Sequence, residues 1–174
     1  MAYNEPGMEK SAQGRTRKIR RIVSGGQTGV DRAALDFAMS RAIEHGGWVP
    51  RGRRAEDGVI PATYRVAETP TAAYRERTQR NVIDSDGTLI IFEGRMSGGT
   101  ALTLRFARAL GKPCLAIDLR KNESNAAGAI CLWMRHHHIA VLNVAGPRES
   151  QAPGIYARSF ALLERVFSHP GKEA

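Results

Sequence analysis

The chain reads TLIIFEGRMSGGTALTLRFARALGKPCLAI from residue 88 to residue 117, and these residues give the clearest indication of the fold. Residues 88–92 form a continuous apolar run rich in β-branched side chains, which is typical of a strand covered on both faces. Residues 101–110 have apolar side chains at helical spacing, and a glycine and a proline then end the helix. Residues 114–117 are again apolar. The sequence here therefore predicts a strand, a helix and a second strand.

The same alternation of strands and helices extends from this unit in both directions. Further strands are predicted at 19–23, 48–50, 64–67 and 140–144. Further helices are predicted from residue 30 to just before Gly46, at 71–83, at 126–136 and at about 156–167. Strands that alternate with helices form a parallel sheet with helices on its faces, joined by right-handed crossovers. The sequence thus predicts an α/β fold with a mostly parallel, doubly wound sheet in three layers.

Length and composition predict one folded unit. A chain of 174 residues has the size of one domain, and 42% hydrophobic with 25% charged residues is close to the globular average. A large modular enzyme and a disordered or fibrous chain are therefore excluded. We divide the chain into a flexible basic N-terminal arm at 1–18, a single ligand-binding domain at 19–169 and a C-terminal tail at 170–174.

The chain is strongly basic, with 26 Lys and Arg against 17 Asp and Glu, which gives a net charge of +9. Residues 1–21 hold six of these bases and two of the acids, so the remainder carries 20 bases and 15 acids, or +5. A basic surface favours an anionic partner, and a compositional bias toward arginine would explain the same count without one. Few aromatic residues are available to stack on bases, so nucleic acid is an unlikely partner.

The remaining composition predicts a soluble, cytoplasmic protein. Cys114 and Cys131 are too few for a disulfide framework and too far apart for a metal-ligand pair, which fits a reducing compartment. We find no apolar signal segment and no run that approaches 18 apolar residues, so no membrane contact is predicted. The three histidines at 136–138 point in different directions on a helix end, so they do not form a metal site. No metal ligands are predicted.

Two glycine-rich segments follow predicted strands and precede predicted helices. The first is SGGQTGVD at 24–31 and the second is SGGT at 97–100. Backbone N–H groups in such turns, together with the positive end of the helix, can hold an anion. Ligands of open α/β sheets usually lie between the loops that follow the first and fourth strands. We therefore expect the two segments to be neighbours and to bind one phosphate-bearing ligand between them. The alternative is that the glycines only make tight turns.

Other polar residues belong to the same predicted site. The helix at 71–83 has a polar face with Arg77 and Asn81 and no apolar stripe, so it faces either solvent or a polar ligand. Asp31 lies in a first helical turn, where it either complements the helix dipole or accepts hydrogen bonds from a ligand. Arg148 and Ser150 follow the strand at 140–144 and can reach an anion, or they belong to a rigid connection.

Five segments together carry a resemblance to a known family. They are SGGQTGVDRA at 24–33, GRRAEDG at 52–58, NVIDSDGT at 81–88, SGGT at 97–100 and LNVAGPRES at 142–150. In this combination they resemble the putative molybdenum carrier family, over residues 22–166. The resemblance implies a Rossmann-like domain related to molybdenum cofactor carriers and, more distantly, to cytokinin-activating phosphoribohydrolases and other nucleotide-ligand sensors. It also implies a homo-oligomer.

The resemblance and the glycine segments together predict a carrier of molybdenum cofactor or of a similar phosphate-bearing heterocycle. The metal would arrive inside the cofactor. The residues predicted to bind the cofactor are Gly25, Gly26, Gln27, Thr28, Gly29, Asp31, Arg77, Asn81, Ser97, Gly98, Gly99, Thr100 and Arg148.

A nucleotide-binding sensor and a nucleoside-monophosphate N-glycosidase are the alternatives. The phosphoribohydrolases carry a glutamate just after their Gly-Thr turn, whereas this chain has Ala-Leu-Thr at 101–103. Without that carboxylate, no residue at this loop is positioned to activate water. Glu68, Asp84 or Asp118 would have to supply the carboxylate from another loop. The sequence therefore favours a binding protein over an enzyme.

Overall fold

The computed structural model describes residues 18–122 and 124–168 of the chain. The strands of this part are β1 (Arg21–Val23), β2 (Glu44–Gly46), β3 (Trp48–Val49), β4 (Arg54–Ala55), β5 (Gly58–Val59), β6 (Ala67–Glu68), β7 (Gly87–Phe92), β8 (Cys114–Asp118) and β9 (Val141–Ala145). Its helices are α1 (Val30–Ser40), α2 (Tyr74–Ile83), α3 (Gly98–Ala109), α4 (Leu119–Asn122), α5 (Ala126–His136) and α6 (Ile155–Ser168). The predicted N-terminal arm and C-terminal tail lie outside these residues, apart from Lys18.

The main sheet has five strands in the order β2-β1-β9-β7-β8, and each neighbouring pair is parallel. Two short two-stranded sheets accompany it. One is the parallel pair of β3 and β6, and the other is the antiparallel hairpin of β4 and β5. The predicted α/β class with a mostly parallel sheet is confirmed.

Helices cover both faces of the main sheet, which gives the three predicted layers. The chain moves one way along the sheet from β1 to β2 and the opposite way from β7 to β8, so right-handed crossovers place α1 and α3 on opposite faces. On the first face α6 packs against α1 and α5, around a core with Ile22, Phe37 and Leu163. On the second face α2 packs against α3 through Val82 and Phe106. Full burial of each large apolar side chain contributes about 1.5–3 kcal/mol.

The last strand of the chain, β9, occupies the centre of the sheet. A common doubly wound arrangement has the strand order 3-2-1-4-5, with the first strand in the middle. If β9 is counted first and is followed by β1, β2, β7 and β8, the observed order becomes this one. The protein therefore has a Rossmann-like sheet whose first strand stands at the end of the chain.

The prediction that the two glycine segments are direct neighbours is wrong. We expected the loops after the first strand and after the strand at 88–92 to be neighbours, but β9 lies between β1 and β7. The reason is the position of β9, which no local pattern in the sequence reveals. As a result, the loop after β9 is the direct neighbour of both glycine segments.

Several predicted element boundaries also differ from the structure. The first helix ends at Ser40, and β2 follows it as an edge strand with the sequence Glu-His-Gly, which carries no apolar pattern. The strands predicted at 48–50 and 64–67 correspond to β3 and β6, which pair with each other outside the main sheet. The helix predicted from residue 101 begins at Gly98, so the segment SGGT includes the first turn of α3.

Apolar side chains of the last helix contribute to the core on the first face. Leu163 is fully buried, and the partly buried Phe160 and Phe167 pack against the core around Phe37. In the described part of the chain, no helix combines the length and the apolar character that crossing a membrane requires.

Candidate functional site

Three loops meet at the carboxyl edge of the sheet, where doubly wound proteins bind their ligands. They follow β1 (residues 24–29), β7 (residues 93–97) and β9 (residues 146–154). The strand order reverses between β9 and β7, because β9 stands in the place of the first strand. The crevice between these two strands is therefore the candidate ligand site.

The glycines of the loop after β1 pack closely against other parts of the protein. A Cβ atom on Gly29 would lie 2.5 Å from the carbonyl oxygen of Pro147 and 2.8 Å from the backbone nitrogen of Glu149. A Cβ atom on Gly26 would lie 2.9 Å from Cδ1 of Ile60. These two glycines are therefore explained by contacts within the protein, with the β9 loop on one side and an apolar cluster on the other.

Gly25 leaves room for an ion pair beneath the same loop. Nη1 of Arg77 donates a hydrogen bond to Oδ2 of Asp31 at 2.9 Å, and Asp31 is only 3% exposed. A Cβ atom on Gly25 would overlap the Arg77 guanidinium and would lie 2.8 Å from the Asp31 carboxylate. Burial raises the pKa of Asp31, while Arg77 and the backbone N–H of Gln27 act in the opposite direction. Arg77, on the polar face of α2, therefore pairs with Asp31 inside the protein.

Glu56 joins the loop after β1 to the loop after β9. Its carboxylate accepts hydrogen bonds from the Thr28 hydroxyl, from the Ser150 hydroxyl and from the Ser150 backbone N–H, and Nε of Arg148 lies 3.4 Å away. Oε1 of Gln27 accepts the backbone N–H of Glu56 at 2.8 Å. Burial acts to raise the pKa of Glu56, but the hydrogen bonds from Ser150 and Thr28 outweigh it and lower that pKa.

This role of Glu56 was not predicted from the sequence. The residue is one of two adjacent acids in the charged segment GRRAEDG at 52–58. An acid that faces two loops with hydroxyl and amide side chains would have indicated this role of Glu56. That arrangement exists only after the chain has folded. Gln27, Thr28 and Arg148 are brought together as predicted site residues, with Glu56 as their common partner.

Asn81 lies away from the crevice. Its amide oxygen accepts the backbone N–H of Trp48 at 2.7 Å, and its amide nitrogen donates to the Trp48 carbonyl at 2.9 Å. The side chain is 3% exposed. Asn81 therefore fixes the start of β3 against α2, and it does not line the crevice.

The second glycine segment, in contrast, faces open space. Ser97 is the N-cap residue of α3 and makes no side-chain capping hydrogen bond, so its side chain does not occupy the first backbone N–H groups of the helix. A Cβ atom on Gly98 or on Gly99 would meet no atom within 4 Å. Gly98 has a φ of 52°, which favours glycine. Neither the backbone conformation nor the packing requires a glycine at position 99. Thr100, the next residue, is buried.

A small crevice adjoins this helix start, between the loops after β7 and β9. Its walls combine apolar and polar side chains, namely Phe92, Glu93, Arg95, Met96, Ser97, Thr100, Pro147, Gln151 and Ala152. Its volume of about 50 Å³ suits one small group, so most of a larger ligand would extend over the open surface. Ser97 and Thr100 are the predicted site residues that line it.

The carboxylates considered for catalysis all have partners elsewhere. Glu68 accepts the backbone N–H of Gly52 at 2.5 Å, and Asp84 accepts Nε1 of Trp48 at 2.6 Å. Asp118 accepts the backbone N–H of Gly94 at 3.0 Å, which lowers the pKa of this carboxyl.

Glu93 is the carboxylate that lines the crevice, and it is paired with arginine. It forms ion pairs with Arg158 and, at 3.9 Å, with Arg120. Among the described residues, no group of three or more His, Cys, Asp or Glu could hold a metal ion.

The fold and this edge of the sheet define a class of protein: a circularly permuted, Rossmann-like α/β domain with a helix that begins at glycine on the carboxyl edge of the sheet. Residues 22–167 match the family model described as "Circularly permutated YpsA SLOG family". The match spans most of the chain, and the protein belongs to this family. The permutation in the family's description agrees with the central position of β9.

A solved structure gives a second comparison. The chain is 54% identical to a protein from Syntrophus aciditrophicus SB whose crystal structure is titled as that of a putative molybdenum carrier protein. The two share a TM-score of 0.85 over 86% of this chain and 96% of the other. No match was found among the curated proteins compared with the chain. The resemblance that the sequence motifs indicated is confirmed.

Proposed function

We propose that this protein binds a small phosphate-bearing heterocycle at the N-terminus of α3, with molybdenum cofactor as the first candidate. The observation that carries the proposal is Gly99, an exposed glycine in a first helical turn that neither its neighbours nor its backbone require. A residue without a side chain at this position lets a ligand oxygen approach the helix N–H groups directly. The positive end of the helix favours a phosphate there.

The surroundings of the helix start support an anionic ligand with an apolar body. Arg95 lines the crevice and supplies positive charge beside the helix end. Met96 and Pro147 offer apolar surface next to it, on which a flat heterocycle can lie. Because the crevice itself is small, it suits the phosphate group, and the heterocycle would rest on the rims of the β7 and β9 loops.

Molybdenum is the cargo in this proposal. The neighbour from Syntrophus aciditrophicus SB is described as a putative molybdenum carrier protein, and this is the reason to name the cofactor first. Since no described group of metal-binding side chains offers a site for the ion alone, the metal would arrive bound to the cofactor.

The carboxylate pairing at the crevice supports binding rather than hydrolysis. Both carboxylate oxygens of Glu93 already face arginines of the protein, Oε1 facing Arg158 and Oε2 facing Arg120, so neither is aimed at a water in the crevice without a competing partner. We therefore expect no release of free base when the protein is incubated with a panel of nucleoside monophosphates. Release of free base from any of these nucleotides would contradict the carrier function and would show that the protein is an N-glycosidase.

The direct test compares two charge-adding substitutions at matched positions. Gly99→Asp places a carboxylate against the proposed phosphate, and Gly128→Asp places one on an exposed glycine in the first turn of α5, where a Cβ also meets nothing within 4 Å. Both proteins are purified from a host that makes molybdenum cofactor and are analysed by native mass spectrometry with metal analysis.

We expect a bound mass containing molybdenum on the wild type and on Gly128→Asp, and an empty Gly99→Asp. A ligand retained by Gly99→Asp would contradict this site. A bound nucleotide without molybdenum would keep the site and would change the ligand to that of a nucleotide sensor. The expected homo-oligomer stays a prediction, and light scattering on the same samples tests it.

A further inference from the structure

We propose that a second ligand site lies beneath α2, and that it takes a small organic anion that also carries a hydroxyl group. The site is a cavity between β1, the start of β3, the residues just before β6, and α2. It shares no lining residue with the crevice beside α3. The proposal is therefore independent of the carrier function.

The cavity has the size and the lining of a small-molecule site. Its volume is about 340 Å³, which lies within the range of ligand pockets in proteins. Val23, Val66 and Ala67 give it apolar surface, and the indole of Trp48 gives it a flat wall. The polar side chains among these apolar walls come from β1, from the segment before β6 and from α2.

Two arginines supply the part of the cavity that would hold an anion. Nε of Arg21 lies 3.4 Å from Oε1 of Glu44, and its guanidinium extends over Gly46, where a Cβ atom would collide with it. Arg65 also lines the cavity, and its guanidinium has no partner among residues 18–122 and 124–168. A guanidinium presents several N–H groups in one plane, which matches a carboxylate or a phosphate.

The α2 side of the cavity supplies acceptors that are already fixed in place. Oδ2 of Asp84 accepts Nε1 of Trp48 at 2.6 Å, which leaves its other carboxylate oxygen for a ligand. Arg80 lies over the Trp48 ring at 4.7 Å and holds the indole in position. A bare anion would gain nothing from Asp84 and would be repelled by it. A hydroxyl group on the same molecule would donate to this oxygen, so a hydroxy acid or a phosphate ester with a free hydroxyl fits both ends.

Trp48 makes binding at this cavity directly observable. The chain has two tryptophans, and the other one, Trp133, lies in α5 on the far face of the sheet. In the full-length Trp133→Phe protein all tryptophan fluorescence comes from Trp48. We titrate it with malate, with glycerol 3-phosphate and with glycerol, which is the neutral control.

We expect a saturable change in Trp48 emission with at least one of the two anions and none with glycerol. The anion that binds identifies the charged group. Arg65→Gln should weaken this binding about tenfold, which corresponds to about 1.4 kcal/mol, because a charged hydrogen bond is lost. Arg65 is exposed, so this variant keeps the fold. Arg54→Gln removes the same charge from an exposed position outside the cavity and should leave the affinity unchanged.

Three results would overturn the proposal. The first is the absence of any emission change with both anions, and the second is an equal response to glycerol. The third is anion binding that survives Arg65→Gln but is lost in Gly99→Asp, which would place the anion at the α3 crevice. Failure of the carrier function alone, seen as an empty wild-type crevice, leaves these titrations unaffected.

Discussion

The two glycine segments have nearly the same sequence, Ser-Gly-Gly at 24–26 and Ser-Gly-Gly at 97–99, yet they serve different purposes. In the first, the space that the missing side chains leave is filled by the protein itself, by Arg77 over Gly25 and by the β9 loop against Gly29. In the second, the space at Gly99 is empty. A glycine-rich loop is therefore a sign of a ligand only where the protein does not use the glycine for its own packing.

The largest expected effect is on the packed segment. Gly29→Ala forces a side chain against Pro147 and Glu149 at a φ of 73°, so we expect the free energy of unfolding to fall by on the order of 4 kcal/mol. Urea unfolding measures it. Gly154→Ala is the control, because Gly154 has a φ of 85° but no atom within 4 Å of a Cβ, so only the backbone strain remains. Equal losses in the two variants would show that the close contacts at Gly29 do not matter.

The next effect concerns the ion pair beneath Gly25. Arg77→Gln leaves the buried Asp31 carboxylate without its partner, and we expect a loss of about 3 kcal/mol at pH 8. Without Arg77 the pKa of Asp31 rises further, and a carboxyl with a raised folded-state pKa stabilises the fold only while it is protonated. The loss should therefore shrink as the pH falls toward 5.

Arg75→Gln is the control on the same helix, since Arg75 lies over Phe106 and has no carboxylate partner in the described part of the chain. Urea unfolding at both pH values distinguishes the two variants. A loss for Arg77→Gln that is independent of pH would show that Asp31 is not the group involved.

A smaller effect is expected where the two packed loops are joined. Glu56→Gln should lower the free energy of unfolding by about 1.5 kcal/mol at pH 7, because it replaces charged hydrogen bonds with neutral ones. The folded-state pKa of Glu56 is lowered, so its contribution is fully present above the unfolded value of about 4.3 and is lost as the pH falls through the folded-state pKa. Wild type and variant should therefore converge in stability as acid protonates this carboxyl. A difference that does not shrink as the pH falls below about 4.3 would contradict the role of the ionised carboxylate.

The smallest expected change in stability, and the one of opposite sign, is in the open segment. Gly99→Ala should raise the free energy of unfolding by up to about 1 kcal/mol, because alanine favours a helix and nothing obstructs its Cβ. Thermal unfolding measures the gain, and Gly128→Ala in α5 should give a similar one. A clear loss of stability at Gly99 alone would show that this segment is packed like the first one and would remove the contrast.

The sequence allowed the class of fold to be predicted, but only part of the site. The apolar run of β7 and the spacing in α3 are local patterns, so these elements were found, although α3 begins three residues earlier than predicted. The edge strand β2 carries no apolar pattern and was missed. The neighbours of Gly29 and two of the partners of Glu56, Arg148 and Ser150, come from the loop after β9, more than ninety positions further along the chain. No local pattern encodes such a contact, so the two glycine segments looked equivalent.

The central position of β9 has a consequence for how the protein is made. Within the main sheet, β1 and β7 both pair with β9 and not with each other. This strand alone therefore joins the half made of β1 and β2 to the half made of β7 and β8. The Ser24 hydroxyl finds its acceptor at Val144, 120 residues later. At a synthesis rate of about 5–20 residues per second, a growing chain waits roughly 6–24 s between these two residues. Until β9 is synthesised, β1 and later β7 each keep one edge without a partner strand, so the main sheet is completed only by the last strand of the chain.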